Sequence, residues 1–172
     1  MQVVAGWQEM LGGMVSAVEA ELTVDAASYW PAFAAAFGSA DPVANLMSQR
    51  RRTALHDRPS SAVEQLTDVA AALLRGIAGL PGAHFLWQGH VFTGGDYLAV
   101  WAVENVVHHR DLLSDEPAPA NALGLARATI EALLGEILPS SLSDSEATLV
   151  GTGRSAVPPG LESVSDRLLA LG

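Results

Sequence analysis

Glu104 and His108 stand four residues apart in LAVWAVENVVHHRDLL, residues 98–113, a run that is otherwise largely apolar. On a helix, that spacing puts both side chains on one face, within reach of a common atom. A carboxylate and an imidazole so placed can supply two ligands to a borderline divalent metal. They can equally act as a base with its orienter, or form a plain ion pair. The neighbours Trp101, Val103, Val106 and Val107 argue that this helix is buried. A carboxylate or an imidazolium is costly there unless it is paired, hydrogen-bonded or metal-bound. His109 points about 100° away and belongs to another face.

The other histidines are His56 at a helix end, and His84 and His90 in HFLWQGHVFTGGDY, from which either could complete a metal site. The glycines of FTGGDY and VGTGR lack the strand–turn–helix context of a phosphate loop and read as turn glycines. No Ser/His/Asp order or paired-carboxylate pattern stands out.

Several amphipathic helices must position these residues. VVAGWQEMLGGMVSAVEAEL carries apolar residues at helical spacing, and YWPAFAAAFGSADP interrupts that pattern. Asp41 as N-cap with Pro42 in the first position predicts a helix to about His56. Ser60 or Ser61 is expected to cap the next helix, which stops at GLPGA. HFLWQGHVFTGGDY lacks clean alternation and reads as an extended loop with room for a short strand. Asp96 is the expected N-cap of the Glu104 helix, which runs to about Leu113. ALGLARATIEALLGEILP reads as a helix closed by Pro139, and the tail, residues 140–172, as less regular with a short apolar helix at its end. Four or five long amphipathic helices with short links predict an all-α bundle in one domain spanning residues 1–172.

The chain is 172 residues long, 49% hydrophobic and 16% charged, enough for a real core. Nine basic against nineteen acidic residues give a formal charge of −10, which disfavours nucleic-acid binding. Arg50, Arg51 and Arg52 form the one basic cluster and point in three directions on a helix. No apolar run is long enough to span a bilayer, and MQVVAGWQEM lacks a basic n-region, so the expected location is the cytoplasm. The absence of cysteine removes disulfides, thiolate metal sites and a cysteine nucleophile.

DYLAVWAVENVVHHRDLL resembles the signature helix of the mycothiol-dependent maleylpyruvate isomerase family, within the DinB-like superfamily. The pattern is Glu, three residues, His and shortly after it Asp-Leu, here Glu104, His108, Asp111 and Leu112. The tail ATLVGTGRSAVPPGL resembles the close of many members, and QVVAGWQEML resembles the family's second helix. The resemblance implies a DinB-like four-helix bundle with a long loop before the Glu/His helix. It also implies a zinc or nickel ion held by a histidine of the second helix together with Glu104 and His108. The implied activity is isomerisation or S-transfer with mycothiol, bacillithiol or glutathione, the metal lowering a thiol's pKa or polarising a carbonyl.

Under this resemblance Gln2 is expected at the place of the family's first ligand histidine, and the family's first helix is expected to have no counterpart. Three alternatives follow: a degenerate site, a third ligand from His84 or His90 (or Gln2 itself), or completion of the bundle by a second chain. A bundle lacking one helix exposes an apolar groove, so a homodimer anchored by Trp7, Met10 and Met14 is expected, unless the tail fills the groove. Two functions are carried forward. One is a metal- and thiol-dependent isomerase or S-transferase; the other is a non-catalytic module that binds a small molecule or a partner.

Overall fold

The computed structural model describes residues 2–37, 41–80, 82–112 and 115–167. The chain divides into two compact units: residues 1–23 with 33–95, and residues 24–32 with 96–172.

In the first unit, α1 (Gln2–Gly13) packs against α4 (Pro59–Ile77). Val4, Met10 and Met14 of the N-terminal segment are buried, as are Val69 and Leu73 of α4. Met10 and Met14 therefore pack inside the unit rather than standing out as interface anchors, and Trp7 is half-buried. Helix α3 (Pro42–Thr53) starts as its sequence predicts, Asp41 Oδ1 accepting the Val43 N–H at 2.9 Å and Pro42 following the cap. Helix α4 starts earlier than expected. Its N-cap is Arg58, and the Ser61 hydroxyl donates to the Arg58 carbonyl instead of capping.

The expected all-α bundle is overturned by a three-stranded antiparallel sheet, order β1–β2–β3, formed by β1 (Ala17–Val18), β2 (His84–Trp87) and β3 (His90–Thr93). The stretch expected as a long loop is thus a hairpin, paired His84 with Thr93, Phe85 with Phe92, Leu86 with Val91 and Trp87 with His90. Gln88 and Gly89, both at positive φ, make its two-residue turn, the conformation whose twist suits a hairpin. The strands lack clean alternation because Val91 and Phe92 are both buried, so neither face of β3 is simply wet. Thr23 completes the outer edge of β3, its N–H donating to the Val91 carbonyl and its hydroxyl accepting the Val91 N–H.

The second unit contains most of α5 (Gly94–Asp111), then α6 (Ala120–Leu134) and α7 (Asp144–Gly151). A further short helix, α2 (Tyr29–Phe37), begins in this unit, where Trp30 packs on Val103, Val106 and Ala126. Helix α6 ends at Leu134, ahead of the stop expected at Pro139, because Gly135 closes it with a φ of 72° that suits glycine. Its other core joins Ile130 and Leu134 to Leu138, Ala147, Val150, Leu161 and Val164. Arg127 anchors the link to α7, donating to Glu131, to Asp144 and to the carbonyls of Leu138, Pro139 and Leu142.

The tail is more regular than its composition suggests. A capping box starts α7, Ser143 Oγ accepting the Glu146 N–H while the Glu146 carboxylate accepts from Ser143. A 3₁₀ turn follows at Glu162–Arg167. The expected terminal helix beyond it, and Leu113, lie outside the described residues. Among the described residues no helix is long and apolar enough to cross a membrane.

Candidate functional site

Helix α5 is built around a buried side formed by Tyr97, Val100, Trp101, Val103, Val106 and Val107. Asp96, expected as its N-cap, lies in its first turn and accepts the Ala26 N–H at 3.2 Å. At the other end, Glu104 and His108 emerge beside the buried stripe, with side chains 37% and 19% exposed. They meet: Glu104 Oε1 lies 3.1 Å from His108 Nε2.

The second imidazole nitrogen is also engaged, Nδ1 lying 3.3 Å from Asp111 Oδ2. Asp111 in turn accepts two hydrogen bonds from one guanidinium, Arg154 Nε at 2.7 Å and an Arg154 terminal nitrogen at 2.9 Å. This fork fixes the carboxylate plane more firmly than a single contact would. With His108 protonated, the row Glu104, His108, Asp111, Arg154 alternates in sign. Glu104's hydrogen bond raises the His108 pKa above its ordinary 6.5, against the opposing effect of burial. Hydrogen bonds from Arg154 hold the Asp111 carboxyl below its ordinary 3.8.

Arg154 is delivered by local backbone chemistry. The Gly153 N–H donates to the Val150 carbonyl and the Arg154 N–H to the Leu149 carbonyl, while Gly153 has a φ of 69°. That is a Schellman closure of α7, so the glycine of VGTGR is a turn glycine that sends Arg154 back towards α5. His109 lies on a different face, its Nε2 at 2.7 Å from the Glu116 carbonyl. Arg110 bonds Ser145.

The remaining expected ligands fall elsewhere. His84 is on β2 with Nδ1 at 2.6 Å from the Ala20 carbonyl, and His90 is on β3; both belong to the first unit, whereas Glu104 and His108 belong to the second. Gln2 opens α1, and its side chain lies outside the described residues. His56, in the first unit, is 3.4 Å from Ser61 Oγ, but that hydroxyl donates to the Arg58 carbonyl, so the pair is not an activated nucleophile.

Glu104 and His108 together offer two donors, an incomplete set for a divalent metal. Ligand bonds of about 2.0 Å at tetrahedral angles set neighbouring donors about 3.3 Å apart, close to the separation of Oε1 and Nε2. The carboxylate behind Nδ1 is the partner a ligating histidine ordinarily has, because it fixes tautomer and ring orientation. Among the described residues no group of three or more His, Cys, Asp or Glu side chains is placed to hold an ion. Comparison with models of known protein families, with curated proteins and with solved structures gives no match.

Proposed function

We propose that the second unit carries an open divalent-metal centre serving a thiol-dependent isomerase or S-transferase, of the type represented by the mycothiol-dependent maleylpyruvate isomerases. Glu104 and His108 are its protein ligands, Asp111 is the positioning residue and Arg154 holds Asp111. The observation that carries this reading is the Asp111 contact on Nδ1, which leaves Nε2 turned towards Glu104 Oε1. A zinc or nickel ion there would supply the Lewis acidity that lowers a thiol's pKa or polarises a substrate carbonyl. The chain's own groups orient the imidazole, keep the Nδ1 proton on the side of Asp111, and leave the remaining positions to water, thiol or a small-molecule substrate. A reduced low-molecular-weight thiol suits a reducing compartment such as the cytoplasm.

Metal content tests the reading directly. Protein purified without chelator and reconstituted with zinc or nickel should hold one ion per chain, and His108→Ala should hold none. Asp111→Asn should weaken binding by about 10–100-fold, the usual cost of losing such a supporting carboxylate. The second reading, a non-catalytic binding module, is favoured by the engagement of both His108 nitrogens with carboxylates, which makes the same row a closed ion-pair network. Reconstituted protein without metal would select it.

A further inference from the structure

Helix α4 is apolar on two faces, and α1 accounts for one of them. Val69 and Leu73 make the buried face. On another face Val63, Thr67, Ala70, Leu74 and Ile77 recur at spacings of four, three, four and three. That is the heptad spacing of a coiled-coil seam, and it extends over about 21 Å at the rise of an α-helix. The seam faces solvent: Val63, Leu74 and Ile77 are 62%, 72% and 39% exposed. The Thr67 hydroxyl donates to the Val63 carbonyl at 3.0 Å, so it brings no unpaired donor to an apolar contact. Single exposed apolar residues are ordinary, but Val63, Leu74 and Ile77, in one register with Thr67 and the half-buried Ala70, form a stripe with the shape of an interface.

The flanking charges say what fits the stripe. Glu64 and Arg75 lie about 100° and 120° round the helix from Val63, on the same side of the seam and at opposite ends of it. When two such helices pair antiparallel, like flanks face each other with their ends exchanged. Glu64 of each copy then stands beside Arg75 of the other, while a parallel pairing would turn Glu64 towards the opposite flank of the partner, that of Leu66 and Leu73, where no charge answers it. Within the chain Glu64 has only a long, exposed contact of 3.8 Å with Arg58, and Arg75 makes no ion pair among the described residues. We infer that α4 is a homodimer interface, two copies pairing antiparallel about a two-fold axis near Thr67 and Ala70, with Val63 of one copy against Leu74 of the other. Two-fold closure needs only this one self-complementary patch.

Light scattering after size exclusion on the full chain should give twice the chain mass of 17.9 kDa at tens of micromolar, falling to the chain mass on dilution. Leu74→Glu should abolish the dimer with an unchanged circular dichroism spectrum, since Leu74 is outside the core. Glu64→Arg and Arg75→Glu should each weaken self-association by about tenfold or more, because each sets like charges together at both ends of the seam. Mixing those two variants should restore a dimer, because the mixed pair again has opposite charges at both ends of the seam. A monomeric mass at all concentrations overturns the inference and assigns the seam to a different occupant. A dimer insensitive to Leu74→Glu and to both charge variants overturns it by placing the interface elsewhere.

Discussion

In the α6–α7 layer of the second unit, a methyl group added to Gly151 would lie 2.5 Å from Ile130 Cδ1 and 2.8 Å from both its Cγ atoms. In the α1–α4 layer of the first unit, a methyl group added to Gly76 would meet the terminal methyl of Met14 at 2.7 Å. Both layers let a glycine admit a large neighbour, yet the neighbours differ in stiffness. Ile130 is β-branched, fully buried and surrounded by the core of its unit, so three of its atoms would have to move together. Met14 presents the free end of an unbranched thioether, which can swing aside. One layer is a fixed fit and the other an adaptable one.

The largest test of that difference removes the large side chain. Ile130→Ala should cost about 4 kcal/mol, near the upper part of the range for buried aliphatic truncations, because its stiff surroundings collapse little into the cavity. Leu73→Ala, in the buried face of α4, should cost about 2 kcal/mol, the lower end of that range. Urea denaturation measures both. Equal losses would mean that the methionine-lined layer adapts no better than the other.

The glycines give the next largest contrast. Gly151→Ala should destabilise by about 2 kcal/mol, the cost of overpacking a filled core. Gly76→Ala, in the last turn of α4, gains helix propensity of up to about 1 kcal/mol and needs only a rotation of Met14. Its net effect should fall within about 0.5 kcal/mol of zero, or be stabilising. Thermal melts of the two variants side by side decide the matter, and a large loss for Gly76→Ala would break the distinction.

What the sequence reveals divides in a similar way, between contacts set locally and contacts set by the fold. Strongly local signals are legible: Asp41 followed by Pro42 opens α3, and the spacing of Glu104 and His108 brings them into contact. The hairpin is obscured because its turn is Gln-Gly rather than Asn-Gly or Asp-Gly, and because consecutive Val91 and Phe92 are both buried. The capping box of α7 is present as Ser143 and Glu146, hidden in a tail whose glycines and prolines dominate its composition. Arg154 escapes sequence reasoning as a site residue because 43 positions separate it from Asp111, and only the Schellman turn at Gly153 brings the two together.

The smallest expected effect is a pH dependence that belongs to the second unit, where the charge row of Glu104, His108, Asp111 and Arg154 lies. Glu104 raises the His108 pKa above 6.5, so this contact contributes fully at pH below 6.5 and is lost as pH rises through the folded value. Arg154 lowers the Asp111 pKa below 3.8, so that contact contributes fully above pH 3.8 and is lost as pH falls through the folded value. Both contributions are complete between those two ordinary values. Glu104 and Asp111 have side chains 37% and 42% exposed, so solvent screening should keep each contribution below about 1 kcal/mol. In metal-free protein held in chelator, the advantage in melting temperature of the natural chain over Glu104→Gln should be present at pH 5.5 and absent at pH 9. An NMR titration of the His108 ring should place its midpoint above 6.5, and Glu104→Gln should lower it. A midpoint at or below 6.5 in the natural chain would show that burial outweighs the Glu104 hydrogen bond, and the Glu104–His108 contact would then contribute nothing to the stability of its unit.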